Sequence, residues 1–305
     1  MDPIQFLEKH FGSHTNTQRE ALFFCPFCNH YKQKLSINLD TFFWKCWVCD
    51  AKGRTILGLV HKTGNRNIIN DYKKHYPKHI IVNNESDDED FKIELPEEYR
   101  PLIHNLDTFD GRRAYKYLKS RDVTDEQILQ HKIGFATEGR FRNRLILPSF
   151  DVDGHLNFYT GRTFIENDYK YLNPSTPPGY KNSIVLNELN IDWKHPVYLV
   201  EGFMDMLQCS NAIPLFGSTL VEESKTFMDL AINEAKVYVC LDMDARKKQL
   251  AILKSLTEYD VECYDFKVNP YKDIGAMHRA KVLEHKGCAL LMDRIHILRE
   301  RIKNA

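Results

Sequence analysis

The stretch VYLVEGFMDML, residues 197–207, begins with four apolar residues and then contains two acidic ones. Its first four residues, Val197 to Val200, are all apolar, as expected of a strand that helices cover on both faces of a parallel sheet. Glu201 follows directly, and Asp205 comes four residues later. Because open α/β sheets bind ligands beyond the carboxyl ends of their strands, this pattern predicts a functional site there. The alternative is a solvated turn that caps a helix.

The chain beyond residue 190 alternates between predicted strands and helices. The predicted strands are 197–200, 213–216, 237–241 and 261–266. The predicted helices between them are 203–210, 219–234 and 246–259. Such alternation predicts a parallel sheet with right-handed crossovers.

Acidic residues follow three of these strands. Asp242-Met243-Asp244 comes directly after the strand at 237–241, and Asp273 follows the strand at 261–266. Parallel strands would deliver these residues and Glu201 to one edge of the sheet. Like charges that are crowded together repel each other, so the cluster predicts a bound cation, and an all-oxygen ligand set favours Mg²⁺.

The N-terminal region contains two C-x-x-C pairs. Cys25 and Cys28 form the first pair, Cys46 and Cys49 form the second, and residues 29–45 separate them. This spacing is typical of a structural zinc site, in which four thiolates complete a tetrahedral shell. The alternative is a redox pair, and His30 is close enough in sequence to substitute for one thiolate.

Aromatic and basic residues alternate around these cysteines. They are Phe24, Phe27, Tyr31, Lys32, Lys34, Phe42, Phe43, Trp44, Lys45 and Trp47. A small zinc module needs aromatic side chains for its own core, which accounts for several of them. Interleaved lysines and aromatics also suit single-stranded nucleic acid, because bases stack on the rings while ammonium groups meet phosphates.

The composition is that of a globular chain of about two domains. The 305 residues carry no net charge, so any affinity for nucleic acid requires segregated charge. No apolar run reaches the ~18 residues of a membrane helix, and the first residues lack the pattern of a secretory signal. We therefore expect a cytoplasmic protein (in the host cytoplasm, if a phage encodes it) with no membrane partner. No phosphate-loop motif of a fused helicase motor occurs.

The segment from about residue 96 to residue 190 is mixed in its predicted elements and contains several arginines and lysines. Residues 112–136 predict two amphipathic helices, the second capped at Thr124, and residues 140–164 predict a hairpin that turns at Asp153-Gly154. The basic residues include Arg140, Arg142, Arg144, Arg162, Lys170 and Lys181. On patterning alone, such residues fit solvated strand edges as well as phosphate binding.

These motifs together resemble the bacterial-type (DnaG-like) DNA primases. VEGFMD and LDMDA look like the TOPRIM domain, while RFRNRLILPSFDVDGHLNFYTGR and KYLNP are similar to the basic half of the primase core. The four-cysteine ribbon resembles the family's N-terminal zinc domain. The three parts come in the family's order and cover nearly the whole chain, in a layout most similar to the stand-alone primases of tailed phages.

The resemblance implies an α/β chain (α+β overall) of five segments. They are a zinc-ribbon template-binding domain at 1–65, a linker at 66–95 that is acidic and flexible over 82–95, a basic mixed α+β subdomain of the primase core at 96–190, a parallel-sheet TOPRIM catalytic subdomain at 191–275, and a C-terminal helical tail at 276–305.

The function implied by the resemblance is the synthesis of short RNA primers on single-stranded DNA for replication. Ribonucleoside triphosphates would be joined by two-metal-assisted nucleotidyl transfer with release of pyrophosphate, and a separate replicative helicase would be the partner. The implied catalytic residues are Glu201, Asp205, Asp242, Asp244 and Asp273, with Mg²⁺ or Mn²⁺ on Glu201, Asp242 and Asp244. The implied nucleic-acid or nucleotide contacts are Arg142, Arg144, Arg162, Lys170, Asn173 and Lys181. One structural Zn²⁺ per chain would bind the four cysteines.

Two features depart from the family pattern, and two other functions compete with primer synthesis. The family usually has a glycine shortly after its Asp-x-Asp, where this chain has Ala245-Arg246-Lys247, and YKDIG offers only Asp273 where bacterial members often have two aspartates. A TOPRIM nuclease would use the same acids. A non-enzymatic recombination mediator would combine zinc and TOPRIM modules but would not need the basic segment between them.

We expect one tightly held zinc ion per chain, because four thiolates leave no position open for exchange with solvent. Cys46→Ser should lower the zinc content well below one per chain, while Cys288→Ser, at one of the scattered cysteines, should not. Metal analysis after exhaustive dialysis measures both. A fully active protein that is free of zinc would contradict the ribbon.

Overall fold

The structure, a computed structural model, describes residues 1–76, 91–217 and 219–303. The chain divides into two compact units, the first made of residues 1–90 and 221–233 and the second of residues 91–220 and 234–305. Of the predicted linker at 66–95, residues 77–90 lie outside the described residues.

The first unit contains a small antiparallel sheet and short helices. Its sheet has the order β1-β2-β3-β4-β5, with strands Thr15–Asn16, Glu20–Phe23, Leu35–Asn38, Trp44–Cys46 and Lys52–Gly53. Its first three helices are α1 (Pro3–Phe11), α2 (Ile56–Lys62) and α3 (Arg66–His75). Asp2 caps α1 through a reciprocal capping box, as its position before a proline predicts.

Helix α3 occupies the first ten residues of the segment that the sequence predicted as linker. Asn65 caps it, and Tyr72 is buried with its ring edge against Phe6 of α1, the two centroids 5.4 Å apart. Asp71 accepts from Lys9 Nζ at 2.7 Å. Residues 66–75 therefore belong to the first unit, because a few apolar side chains on one face suffice to dock an otherwise polar helix.

The second unit begins with an antiparallel sheet of the order β10-β9-β8-β7-β6. Its strands are β6 (Arg100–Pro101), β7 (Gly134–Ala136), β8 (Arg144–Phe150), β9 (Leu156–Thr163) and β10 (Tyr171–Leu172). The two predicted amphipathic helices are α4 (Phe109–Lys119) and α5 (Asp125–Gln130), and Thr124 caps the second as predicted. Gly154 has a φ of +85° in the predicted hairpin turn, a conformation that favours glycine.

The remaining strands form a mostly parallel sheet of the order β12-β11-β13-β14-β15. From residue 197 onward, the strands and the helices between them follow in this chain order: β11 (Val197–Val200), α6 (Phe203–Met206), β12 (Ala212–Pro214), α7 (Lys225–Ile232), β13 (Val237–Cys240), α8 (Arg246–Glu258), β14 (Cys263–Asp265), α9 (Arg279–Gly287), β15 (Leu290–Leu291) and α10 (Arg294–Lys303). Strands β11 to β14 pair in parallel, and β15 is antiparallel to β14. The predicted mixed α+β fold with a parallel sheet is confirmed. Helix α7 belongs to residues 221–233 of the first unit.

One hydrophobic core joins the two sheets of the second unit. Leu145 and Leu147 of β8 belong to the same buried cluster as Tyr198 and Val200 of β11. The segments predicted as separate subdomains, 96–190 and 191–275, thus share one core. The predicted tail beyond residue 275 is also part of this body, because it supplies β15 to the sheet and buries Val282 in the cluster.

Across the described residues, none of the helices combines the length and the apolar character that a membrane crossing requires.

Candidate functional site

The four predicted zinc ligands meet in the first unit. Their sulfur atoms all lie within 4.8 Å of one another, and two of the pairs, Cys25 with Cys49 and Cys28 with Cys46, are 3.8 Å apart. Four sulfurs at about 2.3 Å from a tetrahedral zinc would be separated by about 3.8 Å. The residues therefore fit a zinc ion. Burial alone would raise the pKa of the Cys46 thiol, but backbone N–H donors from Cys49 and Val48 outweigh it and lower this pKa to about 7.

The aromatic residues of the ribbon divide into two groups. Trp44 is buried, stacks on Phe27 at 5.8 Å and donates from its indole N–H to the Thr55 carbonyl, so these rings build the core of the module. Tyr31 and Trp47 are 77% and 64% exposed. A lysine lies over each exposed ring: Lys32 Nζ is 5.3 Å from the Tyr31 centroid and Lys45 Nζ is 4.8 Å from that of Trp47.

His30 is not part of the four-cysteine cluster. Its Nδ1 accepts from the Lys32 backbone N–H at 3.1 Å, and its ring stacks on Tyr31. The four cysteines alone supply a complete tetrahedral ligand set, so this histidine is not needed as a ligand.

The predicted acids converge at the carboxyl edge of the parallel sheet. Ligand oxygens of Asp205, Asp242 and Asp273 lie within 4.8 Å of one another, although these residues follow β11, β13 and β14 respectively. The pairing of these strands is parallel and without shift, with Val200 opposite Cys240. Each strand therefore ends at a similar level, and the residues that follow meet.

Asp205 connects two of the converging segments. Its Oδ2 accepts from the Gly202 N–H at 2.9 Å, and its Oδ1 accepts from the Gly275 N–H at 2.9 Å. A Cβ added at Gly275 would lie 2.7 Å from Asp205 Oδ1 and 3.4 Å from Asp273 Oδ1. The close approach of backbone to carboxylate thus requires glycine, and it holds the Asp273 loop against the turn after β11.

Crowding changes the protonation of these carboxyls. Burial and the neighbouring charges of Asp205, Glu201 and Asp273 raise the pKa of Asp242 to about 7. Burial and the charge of Asp273 raise the pKa of Asp205 to about 6, although the two backbone N–H groups oppose this shift. Because both carboxyls gain protons as the pH falls through these values, a cation competes best above pH ~7.

Glu201 and Asp244 stand beside this triad rather than within it. Glu201 Oε2 is buried and has no hydrogen-bond partner among the described residues, and its Oε1 lies 3.9 Å from Lys248 Nζ. Asp244 is exposed within the 3₁₀ turn Met243–Ala245. A buried carboxylate oxygen without a donor is costly unless a cation or water satisfies it, so the donor set at this edge fits a hard metal ion.

The basic residues predicted to contact nucleic acid or nucleotide occupy different environments. Arg142 and Lys170 are exposed. Arg144 is buried, and its guanidinium donates to the backbone carbonyls of Tyr169, Lys170 and Gly161. Its side chain therefore fastens β8 to β9 and to the segment before β10.

Arg162, Asn173 and Lys181 are partly buried. The Arg162 guanidinium lies 4.7 Å from the centroid of Tyr171, and the Asn173 Oδ1 accepts from Thr160. Lys181 Nζ lies 5.2 Å from the Phe158 ring, and burial lowers the pKa of this lysine.

Tyr171 is a residue of this region that sequence reasoning did not single out. A Cβ added at Gly202 would lie 3.4 Å from its hydroxyl oxygen, which places the ring beside the turn after β11. Burial raises the pKa of Tyr171 to about 12. Through its contact with Arg162, Tyr171 links strand β9 to the acidic edge of the parallel sheet. The only sequence signal was its place in the quoted motif KYLNP.

The chain is similar to known DNA primases in sequence and in structure. It is 25% identical over 263 residues to the DNA primase of Lactococcus lactis subsp. lactis, an alignment that covers 68% of this chain and 41% of that protein. The zinc-binding and RNA polymerase domains of the Aquifex aeolicus primase match with a TM-score of 0.50 at 17% identity, over 96% of this chain and 84% of that one. The DnaG primase catalytic domain bound to ssDNA matches with a TM-score of 0.53 at 18% identity, over 62% and 75%.

No family model matches the chain. The chain spans less than half the length of the curated relatives that it matches first. The similarity in sequence nevertheless extends over most of this chain, and the match to the Aquifex aeolicus structure covers both its zinc-binding and its RNA polymerase domains. The chain is thus similar in sequence to bacterial DNA primases and shares the fold of the zinc-binding and RNA polymerase domains of the Aquifex aeolicus primase.

Proposed function

We propose that this chain synthesises short RNA primers on single-stranded DNA by nucleotidyl transfer from ribonucleoside triphosphates. The observation that carries the proposal is the convergence of Asp205, Asp242 and Asp273 at the edge of the parallel sheet, in a chain related to DNA primases. Three carboxylates lie beside a buried Glu201 oxygen that has no hydrogen-bond partner among the described residues, and this set suits a cation that would neutralise the charge of a triphosphate.

The roles of the acids follow from their surroundings. Asp242 and Asp273 would be ligands of Mg²⁺ or Mn²⁺ together with Glu201, whose free oxygen supports this role. Asp205 uses both oxygens for backbone N–H groups, so it would chiefly orient the Asp273 loop. Asp244, exposed two residues beyond Asp242, is placed to contribute when a nucleotide brings a second ion.

A divalent cation at this edge would neutralise the phosphates and lower the pKa of the attacking 3′-hydroxyl. The chain's own contribution is to hold the carboxylates close together and to orient the template and triphosphate. Arg142 and Lys170 are exposed and suit phosphate contacts, while Arg162 on β9, Asn173 and Lys181 are partly buried.

The zinc ribbon would present the template. Tyr31 and Trp47 are exposed rings with a lysine over each, an arrangement that suits stacked bases between phosphates. Because these rings are not needed for the core that Trp44 and Phe27 build, their exposure favours a binding role. We expect a separate replicative helicase as partner and a cytoplasmic location on the resemblance to primases alone.

A nuclease or a recombination mediator remains the alternative function. Either could use acids at a TOPRIM edge. The exposed basic residues Arg142 and Lys170 and the sequence similarity to DNA primases favour synthesis. Incorporation of labelled ribonucleotides on a single-stranded template separates the three. Cleavage of the template without incorporation would indicate the nuclease, and binding alone would indicate the mediator.

Asp242→Asn and Asp273→Asn should each reduce primer synthesis by at least about 100-fold, because each removes a carboxylate ligand of the cation that would neutralise the triphosphate. Asp260→Asn is a matched control at an exposed position with a φ of +58°, which asparagine tolerates. The measurement is ribonucleotide incorporation on single-stranded DNA. Normal synthesis by both site variants would contradict the assignment.

Gly275→Ala should weaken Mn²⁺ binding roughly tenfold, because the new methyl group displaces Asp205 and with it the Asp273 loop. Gly287→Ala is the control, since a Cβ there meets no heavy atom within 4 Å. Electron paramagnetic resonance of free Mn²⁺ during titration gives both affinities without any nucleotide. Equal affinities in the two variants would show that the close approach is unimportant.

Arg142→Ala and Arg144→Ala should separate nucleic-acid binding from folding. The first should weaken single-stranded DNA binding and lower the salt slope by about one, because one fewer counterion is released. The second should lower the thermal midpoint, because three backbone carbonyls lose a buried donor. Fluorescence anisotropy at several salt concentrations and a melting curve test the pair. An unchanged salt slope in Arg142→Ala would remove that residue from the interface.

A further inference from the structure

A buried polar network lies directly behind the Asp242 turn. Asp265, the last residue of β14, is fully buried and accepts from Arg246 Nη1 at 2.5 Å and from Arg246 Nη2 at 2.8 Å. Arg246 is the first residue of α8, immediately after the 3₁₀ turn that contains Asp244. The pair is bidentate, the geometry in which an arginine fixes both distance and orientation.

The same arginine also contacts the C-terminal helix. Arg246 Nη2 donates to Glu300 Oε2 of α10 at 2.8 Å, and the Glu300 side chain is only 13% exposed. Lys267 lies 3.8 Å from that oxygen and 4.0 Å from Asp265 Oδ2. The carboxylates of Asp265 and Glu300 thus lie beside the cationic side chains of Arg246 and Lys267, and their opposite charges compensate each other.

Gln249 extends the network to the residue that precedes Asp242. Its side chain is buried, its Oε1 accepts from the Leu241 N–H at 3.0 Å, and its Nε2 donates to Asp265 Oδ1 at 2.7 Å. Beyond Asp242, the Met243 N–H donates to the Lys272 carbonyl at 3.2 Å. The turn that presents Asp242 is therefore held at Leu241, at Met243 and at Arg246.

We infer that Arg246 and Glu300 are positioning residues of the acidic edge, so that helix α10 is part of the catalytic apparatus. Neither residue reaches the carboxylate triad, and their effect passes through the backbone of residues 241–246. This inference rests on the proposed metal site. The sequence placed residues 276–305 outside the catalytic core, and the Arg246–Glu300 pair is the observation that brings this segment into it.

The test uses the full-length chain and substitutions that keep side-chain size. Glu300→Gln removes the charge from Arg246, and Arg246→Lys keeps the charge but loses the bidentate geometry. The control is Glu258→Gln on α8, where the carboxylate pairs only with Lys254 at 3.4 Å among the described contacts and is about half exposed. Melting curves without metal show whether each variant is folded.

We expect Glu300→Gln and Arg246→Lys each to weaken Mn²⁺ binding by about tenfold, the usual effect of removing a group that orients a metal ligand. The control should stay within about twofold of the parent. The same resonance titration of Mn²⁺, without nucleotide or template, gives these values. In primer synthesis, the half-saturating Mg²⁺ concentration should rise while the KM for nucleotides is unchanged.

The outcomes distinguish this inference from the proposed function. Unchanged Mn²⁺ affinity in a folded Glu300→Gln variant would overturn the inference even if the parent makes primers. A parent that binds Mn²⁺ and loses affinity in both variants, but makes no primers, would support the inference and overturn the function. If Arg246→Lys does not fold, Glu300→Gln decides, and a parent that binds no Mn²⁺ would overturn both.

Discussion

The in-register parallel pairing of β11, β13 and β14 is the constraint on which the acidic site depends. Val200 is opposite Cys240, and Val239 is opposite Asp265, so the three strands end close to one level. A slip by one residue would turn every side chain of a strand to the other face. Burial of β11 and β13 on both faces opposes such a slip, because each strand has apolar partners on either side. The core therefore determines where the carboxylates meet.

Bringing carboxylates together in this way costs free energy, and the structure compensates for only part of it. The raised pKa values of Asp205 and Asp242 express the remaining repulsion and burial. The two backbone N–H groups on Asp205 oppose its shift, whereas Asp242 depends on a cation for comparable relief. A cation that binds only the folded chain also stabilises it by mass action. Metal binding and stability are thus coupled at this edge.

Local patterns in the sequence predicted local features of the fold well. The strand at 197–200, the cap at Thr124 and the turn at Asp153-Gly154 are all where their patterns indicated. Each depends on residues that are near neighbours in the chain.

Features that depend on distant residues could not be read in this way. The exposed Arg142 and the buried Arg144 are indistinguishable by pattern, because the carbonyls that bury Arg144 lie on other segments. Helix α3 and strand β15 were missed for the same reason, since partners elsewhere in the chain stabilise both. The triad itself was predicted as a cluster at one edge, but its membership was not. Asp205 is bonded to Gly202, three residues before it, and to Gly275, seventy residues after it, and no local spacing in the sequence records the second bond.

The departure from the family pattern after Asp244 can be understood in the same terms. Where primases usually have a glycine, this chain continues with Ala245-Arg246-Lys247 and begins α8 at Arg246. A glycine gives a turn conformational freedom but offers no side chain by which to hold it. An arginine at the start of the helix holds the turn from behind, through Asp265 and Glu300. The price of this solution is that the geometry of the acidic edge comes to depend on α10, a helix more than fifty residues away in sequence. The acidic edge is therefore assembled from chain segments that extend from β11 to the C-terminal helix.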